Sequence, residues 1–461
     1  MDTKLPAEYK KAFKDADIRG VSVTEIDDDL AYQTARAFVD EFKYKAVLIG
    51  YDMRISTPSL VEAFERGVLD AGADAINLGL VHSPMLYFAS GTMETAGVMI
   101  TASHSPANYN GLKLVEPNAV PLTNKTGLEA ILKRIEKQTF NTPNQRGKRK
   151  AKDVRKAYTD FIVKNRTISK NKISIAADAG NGMGGILYPL LTKELGLQTN
   201  MLFSDLDGRF PNRGSDPTIR SHQKFLIKEI KAGKYDFGIA FDGDADRIAF
   251  LDEEGRYINC AAIGALITER LVVENPKAAF VYTNLTSRIY EEKIKEAGGK
   301  PIRARVGHAF IKRMMREKKA VFGCEHSGHF YFKDFFYTDS VMMTLCHVLE
   351  AYEEAQNEGL SFSAMMKPYL VYKQLEDKLV NVGDKKVALA KVDTYITKKY
   401  KNAKVTKFDG LYIDIGDVWG TVKPSVTEHA LKIMFESKTK KLAQEVQTDI
   451  INYVKKISLH N

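Results

Sequence analysis

Three aspartates spaced two residues apart, Asp242, Asp244 and Asp246, stand in "FDGDADRIAF" (241–250) at the end of the apolar run "DFGIAF". Carboxylates this close repel one another unless a cation sits among them, and oxygen donors suit Mg2+. Glu253 falls at the twelfth position of an EF-hand count. Arg247, however, occupies the place where that loop needs glycine, and "IAFL" reads as a strand, which excludes the EF-hand. A solvated acidic turn is the plain alternative. Three aspartates and an arginine directly after a buried strand argue against it.

A second stretch, "VMITASHSPANYNGLKL" (98–114), changes from apolar to small and polar within a few residues. In parallel α/β folds, ligands lie beyond the carboxyl ends of strands, where loops converge. Ser103 there has the position of a nucleophile or of a phosphoryl carrier. His104 and Lys113 would offset negative charge near its oxygen, and Asn108 and Gly111 are turn formers. Taken alone, the stretch reads equally well as an ordinary polar connection.

A third group is "RVGHAFIKRMM" (305–315) with "FGCEHSGHFYF" (322–332). Glu325 and Ser327, at alternate positions, are expected on one face, where both would reach adjacent sugar hydroxyls. His329 has the intrinsic pKa for proton exchange near neutrality, whereas His308 and His326 read by default as structural. A fourth, "GTVKPSVTEHALKIMFE" (420–436), sets Lys423, Ser425 and Thr427 in a loop before an apolar strand. Lysine, hydroxyls and backbone N–H groups are the parts of a phosphate cradle, and equally those of a common polar loop.

Positioning these residues requires a scaffold of strands and helices. The runs "KAVLIG", "AINLGL", "AGVMIT", "KISIAAD", "DFGIAF" and "AAFVYT" predict buried strands. Helical patterns such as "PSLVEAFERGVLDAG", "GGILYPLLTKELG" and "AAIGALITERLVVE" lie between them. Repeated βα units of this kind imply helix-covered sheets with substantial parallel content. The polar, basic stretch 138–153 reads as a linker with a solvated face. The expected domains are 1–150, 151–254, 255–365 and 366–461.

The chain has 461 residues and a formal net charge of +10, with lysines and arginines spread along it and no nucleic-acid-binding signature. Anionic metabolites are the expected partners, not nucleic acid or membrane. Cys260, Cys324 and Cys346 have no paired spacing, as fits a reducing compartment. With no apolar leader-like or membrane-length run, the expected location is the cytoplasm.

In order, these pieces resemble the α-D-phosphohexomutase superfamily, specifically its phosphomannomutase/phosphoglucomutase branch. "DADIRG" resembles its N-terminal Arg-Gly turn, "IGYDMRISTPSL" the next strand-turn-helix and "TASHSPANYNGLK" its phosphoserine loop. "DPTIR" with "FDGDADR" resembles its metal-binding domain, "VGHAFIK" with "GCEHSGHFYF" its sugar-selecting part, and "KPSVTE" its last phosphate loop. The resemblance implies four domains around a central cleft: three alike, with mixed sheets covered by helices, and a smaller α+β fourth. It implies reversible phosphoryl transfer between C1 and C6 of a mannose or glucose phosphate, through phosphoserine and a hexose 1,6-bisphosphate.

The same resemblance gives Ser103 the phosphoryl group and sets Mg2+ on Ser103, Asp242, Asp244 and Asp246. Arg247, Lys113, His104 and Arg19 would surround the transferring group, and His329 would be the acid/base. Glu325, Ser327, Gly307, His308, Lys423, Ser425 and Thr427 would bind substrate. Glucose 1,6-bisphosphate or mannose 1,6-bisphosphate is the implied activator, and a monomer or weak homodimer the implied state. Ala16, Lys423, Val426 and His429 depart from residues usual in this branch. Phosphoglucosamine mutase and a non-catalytic sugar-phosphate-binding protein of the same fold remain as alternative readings.

Overall fold

The computed structural model describes residues 7–458 except 165, 167, 170–172 and 426–428. Two compact units result, Met1–Ile258 with Ser327–Met365, and Asn259–His326 with Met366–Asn461.

In the first unit, one sheet runs in the order Ile18–Val21, Tyr109–Glu116, Gly97–Ile100, Ala46–Tyr51, Asp74–Leu80 and Arg149–Ala151. Ala46–Tyr51 is parallel to both of its neighbours, whereas Gly97–Ile100 and Tyr109–Glu116 are antiparallel. Strands with helices over both faces need apolar residues at consecutive positions, and Val98, Met99 and Ile100 are all fully buried. Each such side chain contributes about 1.5–3 kcal/mol through burial. The second sheet orders Tyr257–Ile258, Ile248–Asp252, Phe237–Phe241, Ser174–Asp178 and Gln198–Leu202. Its central strand is parallel to Ser174–Asp178 and antiparallel to Ile248–Asp252. The unit also holds the short hairpin Phe330–Phe332 with Thr338–Asp339 and the helix Val341–Asn357.

In the second unit, Lys300–Ala304, Ala279–Thr283 and Phe322–Cys324 lie parallel in that order. A separate antiparallel sheet is centred on Ala430–Ser437 and Val418–Pro424, with the helices Lys385–Lys399 and Lys440–Ser458 packed against it. Three α/β parts and a β-rich fourth are therefore the architecture: the helix-covered sheets follow the alternating pattern, and the distinct fourth part follows the resemblance. Among the described residues no helix is long and apolar enough to cross a membrane.

Two local expectations are corrected. The linker 138–153 carries an edge strand, Arg149–Ala151, paired in parallel with Asp74–Leu80. Lys423 sits within the strand Val418–Pro424, not in a loop.

Candidate active site

The strands Gly97–Ile100 and Phe237–Phe241 each end in a loop of small polar residues, and the two loops meet. Gly243 makes this approach possible, since a Cβ there would lie 2.5 Å from the Ser103 carbonyl oxygen. Ser103 is buried and left-handed, with φ +49°. Its Oγ donates to Asp242 Oδ2 at 2.8 Å and lies 3.3 Å from His104 Nδ1. Asp242 Oδ1 accepts the amides of Asp246 and Arg247 at 3.0 and 3.1 Å, which fixes the turn.

The three aspartates offer oxygens that all lie within 4.8 Å of one another. Lys113, in register with Met99 on the neighbouring strand, reaches Asp244 Oδ2 at 2.7 Å and Asp246 Oδ2 at 2.8 Å. Burial, together with the other two carboxylates, pushes Asp242 well above its ordinary pKa. Burial acts the same way on Asp244 and Asp246, but Lys113, joined by the Ser83 hydroxyl at Asp244 and by His329 and Arg247 at Asp246, outweighs it, and both carboxyls stay below the usual value. Asp244 Oδ1 and Asp246 Oδ1 are buried and accept no hydrogen bond among the described residues. Three carboxylates with one ammonium, and two buried oxygens without a hydrogen bond among the described residues, are the donor set that a hard divalent cation would complete.

Arg247 and His329 stand next to this cluster. Arg247 Nε donates to His329 Nε2 at 3.0 Å, and its Nη1 lies 3.4 Å from Asp216 Oδ2. An imidazole accepting at Nε2 carries its proton at Nδ1. That nitrogen faces the Asp246 carbonyl at 3.1 Å and Asp339 Oδ2 at 3.2 Å. Burial, with Arg247 and Arg19 close by, holds His104 far below the usual imidazole pKa, so its ring is neutral near pH 7. Arg19 is ion-paired to Asp17 at 2.6 Å and reaches Ser105 Oγ at 3.4 Å. Ser103, His104, Lys113, Asp242, Asp244, Asp246, Arg247 and His329 thus converge, with Arg19 on the flank of the serine loop.

Residues 325–329 form a turn, so strand alternation does not govern Glu325 and Ser327 as expected. In the second unit, Glu325 Oε1 accepts the Gly307 amide at 3.2 Å. Gly307, at φ +125°, precedes the helix His308–Lys318, and a side chain there would be strained. The Lys423 amine is buried because Asp409 Oδ2 lies 2.7 Å away, and the same oxygen accepts the Val306 amide at 3.0 Å. The Ser425 carbonyl accepts Lys385 Nζ at 2.9 Å. Thr427 and Val426 lie outside the described residues.

Sequence reasoning missed Ser83, Asp339 and Asp409. Ser83 opens the helix Ser83–Met93 and donates to Asp244 Oδ2 at 2.5 Å. A serine before proline after a strand was the available signal, because such pairs start helices. Asp339 and Asp409 are lone aspartates with no spacing to mark them.

His82, beside Ser83, is fully buried against Tyr158, and neither ring nitrogen has a hydrogen-bond partner among the described residues. Burial lowers its pKa to about 3. A histidine depressed in the folded state adds stability above the unfolded pKa and loses it as pH falls toward the folded one. From about pH 6.5 to about pH 4.5 the loss is on the order of 3 kcal/mol. In thermal unfolding across that range, His82→Phe is expected to gain on the parent as pH falls. Parallel pH profiles would refute this.

Residues 10–142, 156–255 and 259–370 match phosphoglucomutase/phosphomannomutase alpha/beta/alpha domains I, II and III respectively. The chain is 31% identical over 444 residues to phosphohexose mutases of Xanthomonas campestris pv. campestris (strain B100), covering 96% of this chain and 98% of that protein. It is 30% identical over 449 residues to phosphomannomutase of Methanocaldococcus jannaschii, covering 96% and 98%. A crystal structure of a phosphoglucomutase/phosphomannomutase family protein from Burkholderia thailandensis superposes with a TM-score of 0.88 at 29% identity, covering 97% of this chain and 98% of that one. With matches to three successive domains and relatives aligned almost end to end, the chain belongs to the phosphoglucomutase/phosphomannomutase family.

Proposed function

We propose that this chain moves a phosphoryl group reversibly between C1 and C6 of mannose or glucose phosphate, with Ser103 as carrier and a hexose 1,6-bisphosphate as intermediate. The observation that carries the reading is the Ser103 hydroxyl donating to Asp242 within a buried aspartate cluster in which two oxygens accept no hydrogen bond among the described residues. Asp242, Asp244, Asp246 and a Ser103 oxygen would hold Mg2+. When bound, the cation neutralises charge on the transferring group.

The chain's own residues account for the rest. Lys113 and Arg247 supply fixed positive charge, which phosphoryl transfer needs more than covalent chemistry. The bond from Ser103 Oγ to phosphorus breaks as one from phosphorus to a sugar hydroxyl oxygen forms. The hydroxyl proton passes to His329 Nε2, the ring nitrogen that now accepts from Arg247, and the departing Ser103 oxygen takes up a proton from water to regain its hydroxyl. Neutral His104 and the flanking Arg19 border the leaving serine oxygen. Glu325 and Ser327 would bind sugar hydroxyls. Gly307 and His308 would also contact substrate, and Lys423, Ser425 and Thr427 would hold the phosphate that is not reacting. We assign the four domains the boundaries 150, 254 and 365, and place the enzyme in the cytoplasm as a monomer or weak homodimer.

Side-by-side assays of mannose 1-phosphate, glucose 1-phosphate and glucosamine 6-phosphate, with catalytic glucose 1,6-bisphosphate, test the reading. Turnover of the first two is expected, together with an intact-mass fraction about 80 Da heavier. Activity confined to the amino sugar would select phosphoglucosamine mutase instead. Absence of both turnover and adduct would leave a binding protein.

A further inference from the structure

Arg54 has no role in the chemistry described so far, yet its side chain is wholly buried beside the serine loop. Nη1 donates to the carbonyls of Pro106 and Tyr109 at 2.7 and 2.9 Å. Nη2 donates to those of Ser103 and Ser105 at 2.7 and 2.8 Å. Nε donates to Asp52 Oδ2 at 3.2 Å, so every guanidinium N–H has an acceptor. The same Asp52 oxygen accepts Thr101 Oγ1 at 2.6 Å, and Thr101 Oγ1 accepts the Ser103 amide at 2.9 Å. Both backbone polar groups of Ser103 are therefore tied to one buried network.

That network bears on a strained residue. A non-glycine residue in the left-handed region costs about 1–2 kcal/mol and persists only where its surroundings over-determine it. Pro106 is exposed and Ser105 half-exposed, so water would satisfy a relaxed loop's carbonyls without a buried cation. Burying a guanidinium against one carboxylate is a poor way to gain stability. It is an effective way to impose a single backbone path, because a planar fork of donors accepts little distortion.

We propose that Arg54, acting through Asp52 and Thr101, is the positioning residue that locks Ser103 left-handed and aims its Oγ at Asp242. The inference rests on Ser103 being the phosphoryl carrier. From Ser103 to Tyr109 the network meets backbone carbonyls and the Ser103 amide, so it governs alignment of the transferring group and not retention of the sugar phosphate. Loss of alignment by about 1 Å is enough to slow a reaction about 100-fold.

The test uses the full chain with Thr101→Val and Arg54→Lys, measuring kcat, KM, Tm and Ser103 phosphorylation by intact mass. Thr101→Val removes one hydroxyl at constant shape and is expected to lower kcat about tenfold with KM within about twofold. A lysine offers three donors and cannot span four carbonyls, so Arg54→Lys should lower kcat about 100-fold, again without raising KM. The double variant should match Arg54→Lys alone, as members of one network do. Unchanged kcat in Thr101→Val, or losses confined to KM or to the folded fraction, would overturn the proposal. If Arg54→Lys does not fold, Thr101→Val decides the matter alone. If the parent chain shows neither turnover nor a Ser103 adduct, the carrier assignment has failed and this inference fails with it; a parent active beside fully active variants sinks this inference alone.

Discussion

Ser103→Ala is expected to lose about 10⁴-fold or more in kcat, roughly 5–6 kcal/mol of transition-state stabilisation. The size follows from the site having one hydroxyl in the carrier position. Ser103 Oγ is the one that donates to Asp242, while Ser83 is committed to Asp244 and Ser105 faces Arg19. Stability should fall by about 1–3 kcal/mol, because Asp242 Oδ2 loses its hydroxyl donor. Ser103→Gly separates chemistry from strain, because glycine takes φ +49° without a Cβ penalty. It should be as inactive as Ser103→Ala yet melt higher than it. Initial rates with mannose 1-phosphate and glucose 1-phosphate, with scanning calorimetry, read both. Near-normal turnover in either variant would remove Ser103 from the role of carrier.

What was legible in the sequence was whatever a local pattern encodes. Val98 to Ile100 and Phe237 to Phe241 read as strands because both faces of each are buried, leaving an unbroken apolar run. The aspartate trio was legible because three like charges at that spacing require an explanation. Edge strand Arg149–Ala151 was not legible: all three residues are exposed, and beyond the backbone ladder it is held by ion pairs from Arg149 to Glu65 and from Lys150 to Asp74, partners that no local pattern announces. Asp52, Arg54, Ser83, Asp339 and Asp409 were invisible for a related reason. Each is a single polar residue whose meaning lies in a partner far along the chain, such as Asp244 for Ser83 or Lys423 for Asp409. Lys423 itself was identified, but its setting was not, since a lysine in a buried strand is intelligible only once Asp409 is placed beside it.

The cation site makes a prediction whose two halves have opposite signs. Asp242→Asn and Asp244→Asn should both weaken Mg2+ binding by about 100-fold or more and lower kcat by about 10²–10³-fold. Their effects on the metal-free protein should differ. Among the described residues no lysine or arginine is ion-paired to Asp242, and burial with the Asp246 and Asp244 carboxylates outweighs the more distant Arg247 and Lys113, so its charge is disfavoured. An asparagine keeps an oxygen for the two amides that Asp242 Oδ1 accepts and relieves the repulsion, so metal-free Asp242→Asn should melt at or above the parent. Asp244 instead accepts Lys113 and Ser83, and Lys113 would be left with Asp246 alone. Weakening a buried pair from one side costs about 3–5 kcal/mol at the extreme, so metal-free Asp244→Asn should melt well below the parent. Melting curves with chelator and across a magnesium titration measure both halves. A cluster that serves only as a buried ion-pair network would give two destabilised variants and a magnesium titration identical to the parent's, and that pair of results would dismiss the cation site.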